Sequence, residues 1–302
     1  MSERLSDVET RIDTVRQLDS VITAMRGMAA ARAHEARERV AGIRTCAEMI
    51  GDAIATVLML NDENAPSDIA RTTDRIVIVL CSEQGFAGTF NERVLDAVVP
   101  LRDMHGLGAC ELMVVGDRGA MVAEERHWPI AWSAPAIAHA GEAAQLADTL
   151  TRELYRRLSD GQLRYAKQVV VVHALPDAET AFQIRGVQLL PFDFKRFPPA
   201  GHASAPILTM PPSRLLEMLA EEYVNAQLCE AVMLSFAAEN EARMYAMISA
   251  RAHVRDTLGT LVDRARRLRQ EEITAEIVEL SGSRYRDADA VQDTRECGGG
   301  RP

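Results

Sequence analysis

Apolar residues recur at steps of three and four along both ends of the chain, and in short β-branched runs between them. From the N-terminus, Leu5, Val8, Ile12, Val15, Leu18, Ile22, Met25 and Met28 trace a narrow seam of the coiled-coil kind. The seam turns alanine-rich from Ala29 to Ala36, which lets a partner helix come close. It resumes at Ile43, Ala47, Ile50, Ile54 and Leu58 before Asn61-Asp62-Glu63-Asn64-Ala65-Pro66 stops it. A second seam opens after Pro211-Pro212, a favourable helix start. It runs through Leu216, Leu219, Tyr223 and Ala226, then Met233, Phe236, Asn240, Met244, Met247, Val254, Leu258, Leu261, Ala265 and Leu268. Of the 12 prolines, all but Pro302 lie between Pro66 and Pro212. Proline in a helix interior removes a backbone bond and clashes with the preceding turn, so this exclusion supports two long helical arms. At ~1.5 Å per residue the arms would measure roughly 85 Å and 100 Å, and the second outreaches the first.

Between the arms, apolar runs at Arg75–Cys81, Glu111–Val115 and Gln168–His173 read as buried strands, and Phe182–Leu190 as a further one. Helical stretches are expected at Asn91–His105, Gly119–Glu125 and Gly141–Leu158. Strands alternating with helices give an α/β domain with a largely parallel sheet. The expected fold class is therefore α/β: a long antiparallel coiled coil of the terminal helices with an inserted Rossmann-like domain. The boundaries read as 1–62 for the first coiled-coil helix, 70–208 for the α/β domain and 213–284 for the second helix. A polar tail over 285–302, ending Cys297-Gly298-Gly299-Gly300-Arg301-Pro302, is expected to be disordered.

Composition narrows the function classes. A formal charge of −10 argues against nucleic acid as the main partner, since phosphate binding needs a basic surface. The cysteines (Cys46, Cys81, Cys110, Cys229, Cys297) are scattered with no C-x-x-C pair, which suits a reducing cytosol and argues against a disulfide framework or zinc site. The acidic N-terminus (Glu3, Asp7, Glu9) lacks the apolar core of a secretory signal, and no stretch approaches the ~20 apolar residues that span a bilayer. Any connection with a membrane must then run through a partner.

Catalytic chemistry is hard to place. Ser82-Glu83-Gln84-Gly85-Phe86-Ala87-Gly88 follows the first strand and precedes a helix, where an α/β fold can hold phosphate. It carries no lysine and matches neither G-x-x-x-x-G-K-[ST] nor G-x-G-x-x-G, so Gly85 and Gly88 read as the residues of a tight structural turn with close backbone packing. The histidines form no H-x-x-x-H pair, and no G-x-S-x-G elbow exists. No metal, cofactor or catalytic group is expected. Met25 and Met28 on one arm, with Met244 and Met247 on the other, suit either gap-filling in a coiled coil or a surface that slides over partners.

Three stretches carry a resemblance to a known family. Arg11-Ile12-Asp13-Thr14-Val15 through Ala24-Met25-Arg26-Gly27-Met28-Ala29-Ala30-Ala31-Arg32 resembles an "R-I-x-S-V … A-M-K-M-V-A-A-A-K" opening helix. Ser82 through Asn91 resembles an "S-D-R-G-L-C-G-G-F-N" loop. Glu239-x-x-x-Arg243-Met244-x-Ala246-Met247, followed by Arg269-Gln270-Glu271-Glu272-Ile273-Thr274-x-Glu276-Ile277-x-Glu279-Leu280-x-Gly282, resembles the closing helix, with its marker "R-Q-x-x-I-T-x-E-I-x-E-I". In this order, over about 1–284, they are similar to the gamma subunit of F-type ATP synthases.

That resemblance implies a central rotor shaft. The terminal helices would enter a ring of alpha and beta subunits, and the α/β domain would sit at the foot against the epsilon subunit and the c-subunit ring. Ion flow would turn the c ring and the shaft, and catalysis would belong to the beta subunits. The chain would lie peripherally on the cytoplasmic face of a bacterial inner membrane, without a span of its own. The coupling ion, proton or sodium, is not read from this chain, because the family's ion-binding carboxylates sit on c. Carried over by position, Met25, Arg26 and Met28 would meet the beta lever, and Arg269, Gln270 and Thr274 the beta catch loops. An arginine fork suits an acidic partner loop. The chain departs from the pattern at Thr23 (a lysine in the family), at Gly27 (a methionine), at Ala87 and in its long tail. Gly27 would mark close contact or local give, since glycine in a helix costs roughly 1 kcal/mol against alanine. Two other readings stay open: a coiled-coil adaptor or tether without a motor, and a small-molecule enzyme using the Gly85–Gly88 loop.

Overall fold

The structure is a computed structural model that describes residues 5–60, 75–103, 110–159, 168–177, 179–197 and 208–296. The expected helix stop at Asn61–Pro66, the end of the helix expected over Asn91–His105 and the terminal Cys297–Pro302 lie outside the described residues. In chain order the elements are α1 (Leu5–Leu60), β1 (Arg75–Leu80), α2 (Phe90–Asp96), α3 (Val99–Asp103), β2 (Cys110–Val115), α4 (Asp117–Glu125), β3 (Ile130–Ala134), α5 (Ala143–Ser159), β4 (Gln168–Asp177), β5 (Ala181–Leu190) and α6 (Pro212–Glu296). Residues 25–247 form one compact unit, and 1–24 with 248–302 form another.

The larger unit is built on a five-stranded sheet in the order β3-β2-β1-β4-β5. β1 pairs in parallel with β2 and β4, β2 in parallel with β3, and β5 closes the sheet antiparallel to β4. All six β1 residues are buried, as expected for a central strand covered on both faces. Ile76, Ile78 and Leu80 point to one layer with Leu150 and Leu154 of α5, Val224, Leu228 and Phe236 of α6, and Ala36 and Val40 of α1. Val77 and Val79 point to the other, with Phe90 and Val94 of α2 and Val122 of α4. A third cluster joins Ile54 and Val57 to Leu216, ringed by Phe192, Phe194, Phe197 and Tyr223.

α1 and α6 run antiparallel in this unit. Arg37 pairs with Glu241 at 3.2 Å and Arg44 with Glu230 at 2.7 Å, so the number on α6 falls as that on α1 rises. The smaller unit repeats the pattern by itself. Arg269 pairs with Glu9 at 2.6 Å and Arg251 with Asp19 at 3.0 Å. Buried or half-buried positions on α1 step regularly through Val8, Ile12, Val15, Asp19, Ile22, Arg26, Ala29, Ala33, Ala36 and Val40. That is a strict heptad, the period that keeps one face of a helix on its partner. It corrects the expected seam at two places: Leu18 is 48% exposed and Met28 is 56% exposed, while Asp19 and Arg26 take seam positions. Asp19 is tolerated there because Arg251 neutralises it across the pair.

The other differences are local. α6 continues to Glu296 through a stretch expected to be a disordered tail; no proline or glycine falls between Ser283 and Glu296 to end it. The helix expected over Asn91–His105 is split into α2 and α3, and β3 was not anticipated.

Arg157 ties α5 to the sheet, donating to Glu153 at 2.7 Å, Glu111 at 2.9 Å and the Ala131 carbonyl at 2.9 Å. The guanidinium groups of Arg156 and Arg157 hold the Glu153 carboxyl down to about 2, against an ordinary value of 4.5. A carboxyl depressed on folding contributes stability that is fully present above its unfolded value and lost as pH falls through its folded one. Glu153→Gln should therefore flatten the acid dependence of the urea midpoint between about pH 4.5 and about pH 2. An identical slope in wild type and variant would remove Glu153 from the acid response.

Candidate functional site

The residues singled out from sequence fall in three places. Met25, Arg26 and Met28 lie within one turn of α1. The heptad turns Arg26 into the seam, where it is half-buried and makes no hydrogen bond or ion pair among the described residues. Met25 is half-buried beside it, and Met28 is 56% exposed. This turn presents an apolar edge with a cation at its margin. Gly27 makes no close contact: a Cβ there would meet nothing within 4 Å. Within the chain this glycine is left with local give, and Gly27→Ala should stabilise the isolated chain by about 1 kcal/mol in chemical denaturation. A destabilised variant would mean that the helix needs glycine for another reason.

Arg269, Gln270 and Thr274 lie on α6 in the smaller unit. Arg269 is 61% exposed at its side chain, and its guanidinium donates to Glu9. The Thr274 hydroxyl donates to the Gln270 carbonyl at 2.7 Å, so toward a partner the hydroxyl offers its lone pairs. Gln270 and Thr274 line one shallow depression with Arg267, Glu271, Ala275 and Val278. Residues 271–280 are all exposed, among them the apolar Ile273, Ile277, Val278 and Leu280. Four uncovered apolar side chains in little more than two turns make a surface suited to burial against something else.

The third place is the loop from Ser82 to Thr89. Gly88 has φ +62, the left-handed region where glycine is least strained, and Phe86 shares it at φ 65 while 68% exposed. Neither Gly85 nor Gly88 makes a close approach, since an added Cβ would find nothing within 4 Å at either. The close packing expected of them occurs at Gly116 and Gly119, which sequence reading passed over. A Cβ on Gly116 would sit 2.6 Å from the Cys81 and Ser82 carbonyl oxygens, and one on Gly119 would sit 2.0 Å from the Cys81 Cβ.

The loop is fastened by its own side chains. The Ser82 backbone N–H donates to the Asn91 side-chain carbonyl at 2.9 Å, and the Asn91 amide returns a bond to the Ser82 hydroxyl at 2.8 Å. The Glu83 carboxylate accepts from the N–H of Ala136 at 2.7 Å and of Asp117 at 3.2 Å. On the opposite side stands an ion pair missed as a structural feature in sequence, Glu239 with Arg243, one turn apart on α6 and 5% and 6% exposed. Burial pushes the Glu239 carboxyl up to about 7, with Glu83 adding to the rise and Arg243 and Arg32 opposing it. The sequence signal was two opposite charges four residues apart within the run Ala231–Arg243, which is almost wholly buried.

Among the described residues no group of histidine, cysteine and carboxylate side chains could hold a metal, and no helix is long and apolar enough to cross a membrane. The long helices offer exposed apolar side chains and an exposed arginine fork at Arg269.

Residues 4–284 match the family model described as ATP synthase. The ATP synthase gamma chain of Prosthecochloris aestuarii is 28% identical over 302 residues, covering 96% of this chain and 99% of that one. That of Chlorobium luteolum is 27% identical over 300 residues, covering 96% and 99%. Among solved structures, a chain of the Euglena gracilis mitochondrial ATP synthase OSCP/F1/c-ring aligns with a TM-score of 0.62 at 10% identity, covering 95% of both chains. A chain of the Tetrahymena thermophila mitochondrial ATP synthase central stalk/c-ring aligns at 0.52 and 19% identity, covering 76% of this chain and 99% of that one. The structural likenesses speak to the fold, whereas the family match runs through both arms and the α/β module between them: the chain belongs to the ATP synthase family, as a relative of its gamma chains.

Proposed function

We propose that this chain is the central shaft of a rotary ATP synthase. Its terminal helices turn inside a ring of alpha and beta subunits, and its α/β module stands at the foot with the epsilon subunit and the c ring. The observation that carries this reading is the run of exposed apolar side chains at Ile273, Ile277, Val278 and Leu280, on a helix of a chain whose family match covers residues 4–284. Such a surface marks a site of interaction, and a surrounding ring of subunits would cover it. The chain has no catalytic site of its own; it transmits torque, while ATP chemistry belongs to the beta subunits. It reaches the membrane through the c ring, as a peripheral component on the cytoplasmic face.

Within that reading, Met25, Arg26 and Met28 press on the beta lever, and Arg269, Gln270 and Thr274 engage the beta catch loops. Arg26 is suited to the task because a cation with no bond among the described residues can take a partner carboxylate. Affinity purification of the native chain from its own membranes tests the proposal. Alpha- and beta-type ATPase subunits should come with it in stoichiometric yield. Recovery of the chain without them would favour the adaptor reading and sink the shaft.

A further inference from the structure

In the larger unit, the helices and the α/β module are joined covalently through residues 61–74 and 198–207, and otherwise by packing. Most of that packing is apolar, with Val224, Leu228, Val232 and Phe236 of α6 lying on the sheet and α5. Hydrophobic contact holds surfaces together but has no direction of its own. Among the described residues the directed bonds from α6 to the module are few. The Ser235 hydroxyl donates to the Leu80 carbonyl at 3.2 Å, and the Arg243 guanidinium donates to the carbonyls of Gln84 and Gly85, each at 3.4 Å.

Arg243 is an expensive residue to bury. Replacing a buried ion pair by apolar side chains of similar volume is often neutral or stabilising, so stability alone gives Glu239 and Arg243 little reason to be here. Their geometry gives a better one. Glu239 accepts from Nη2 and Asn240 from Nη1 at 3.1 Å, which turns Nε toward the Gly85 carbonyl and the second N–H of Nη2 toward that of Gln84. That loop is bonded in turn to α2 through Asn91, to the start of α4 through the Asp117 N–H and to the segment after β3 through the Ala136 N–H. Arg243 also ends the buried stretch of α6, for Tyr245 is 46% exposed.

We infer that Arg243, oriented by Glu239 and Asn240, is the positioning residue that locks α6 to the Ser82–Thr89 loop, so that helix and α/β module rotate as one body. This rests on the reading of the chain as a shaft. A joint of this kind does not affect ATP chemistry; it decides whether rotation of the helices reaches the foot.

The test uses the complete ATPase in sealed vesicles, with ATP hydrolysis and ion uptake measured on the same preparation. Arg243→Ala should leave hydrolysis near the wild-type rate and lower ion uptake per ATP several-fold. Arg243→Lys keeps the charge but lacks the fork, and should also lower the ratio; it serves alone if the alanine variant does not assemble. The exchange Glu239→Arg with Arg243→Glu separates a joint from a merely structural pair. It re-forms the ion pair but turns a carboxylate toward the Gln84 and Gly85 carbonyls, so in complexes that assemble and hydrolyse ATP the uptake per ATP should stay low. A wild-type ratio in Arg243→Ala or Arg243→Lys, or a ratio recovered by the exchange, overturns the inference. A wild-type complex that hydrolyses ATP with no ion uptake at all would instead count against the shaft reading.

Discussion

Gly119→Ala should lower the unfolding free energy of the α/β module by about 3 kcal/mol, a large part of the 5–15 kcal/mol typical of a domain. The new Cβ would lie 2.0 Å from the Cys81 Cβ and 2.5 Å from its Sγ, with the Cys81 Cα at 3.5 Å. The side chain cannot swing away, because the Cβ position is fixed by the backbone, so α4 must move off the end of β1. Val122 of α4 and Cys81 belong to one buried cluster, and the shift opens it. Removing the obstruction should restore much of the loss: Cys81→Gly with Gly119→Ala should be clearly more stable than the sum of the two single changes predicts. Gly116→Ala should resist such rescue. Its clash is with the carbonyl oxygens of Cys81 and Ser82, and φ +100 adds strain for any residue with a Cβ. Urea unfolding of the four proteins decides the matter, and strict additivity of the Cys81 and Gly119 changes would refute the proposed contact.

The second large effect is functional. Arg269→Glu should cut ATP-driven ion uptake about tenfold, the consequence of roughly 1.4 kcal/mol or more lost at the charged contact proposed with the beta subunits. The folded chain should barely register the change. Arg269 and Glu9 form an exposed pair, 61% and 48% accessible, and such pairs contribute about 0–1 kcal/mol. The two roles of Arg269 can be pulled apart. Combining Arg269→Glu with Glu9→Arg rebuilds the bridge inside the chain while leaving the wrong charge toward the ring. Uptake should remain low in that double variant, with melting temperature unchanged. Full activity in either variant would remove Arg269 from the coupling contact.

These sites differ in how visible they are in the sequence. The long helices are announced by Pro66 and by Pro211-Pro212, and β1, β2 and β4 by β-branched runs buried on both faces. β3 escaped because Ile130–Ala134 is an edge strand with only alternate residues half-buried, and its sequence IAWSA has one β-branched residue. The seam was misplaced at Leu18 and Met28 because apolar residues were followed where the heptad is strict. Following the period, whatever the residue type, leads to Asp19 and Arg26, whose charges disguise their seam positions. The glycine loop was found, but the steric role attached to Gly85 and Gly88 belongs to Gly116 and Gly119. Close approach depends on which strand end lies beneath a helix, a long-range fact that no local pattern records. The Glu239–Arg243 pair reads in sequence as any i, i+4 bridge on a solvated helix, and only burial between α1 and the sheet turns it into a joint.

The central claim is that this chain rotates. It is tested most directly by watching a bead fixed to the α/β module of the chain, assembled with its cognate alpha and beta subunits on a surface and supplied with ATP. Sustained rotation in one direction, stopped when beta-subunit catalysis is blocked, is the result the shaft requires. A complex that turns over ATP while the bead shows only undirected motion would contradict it.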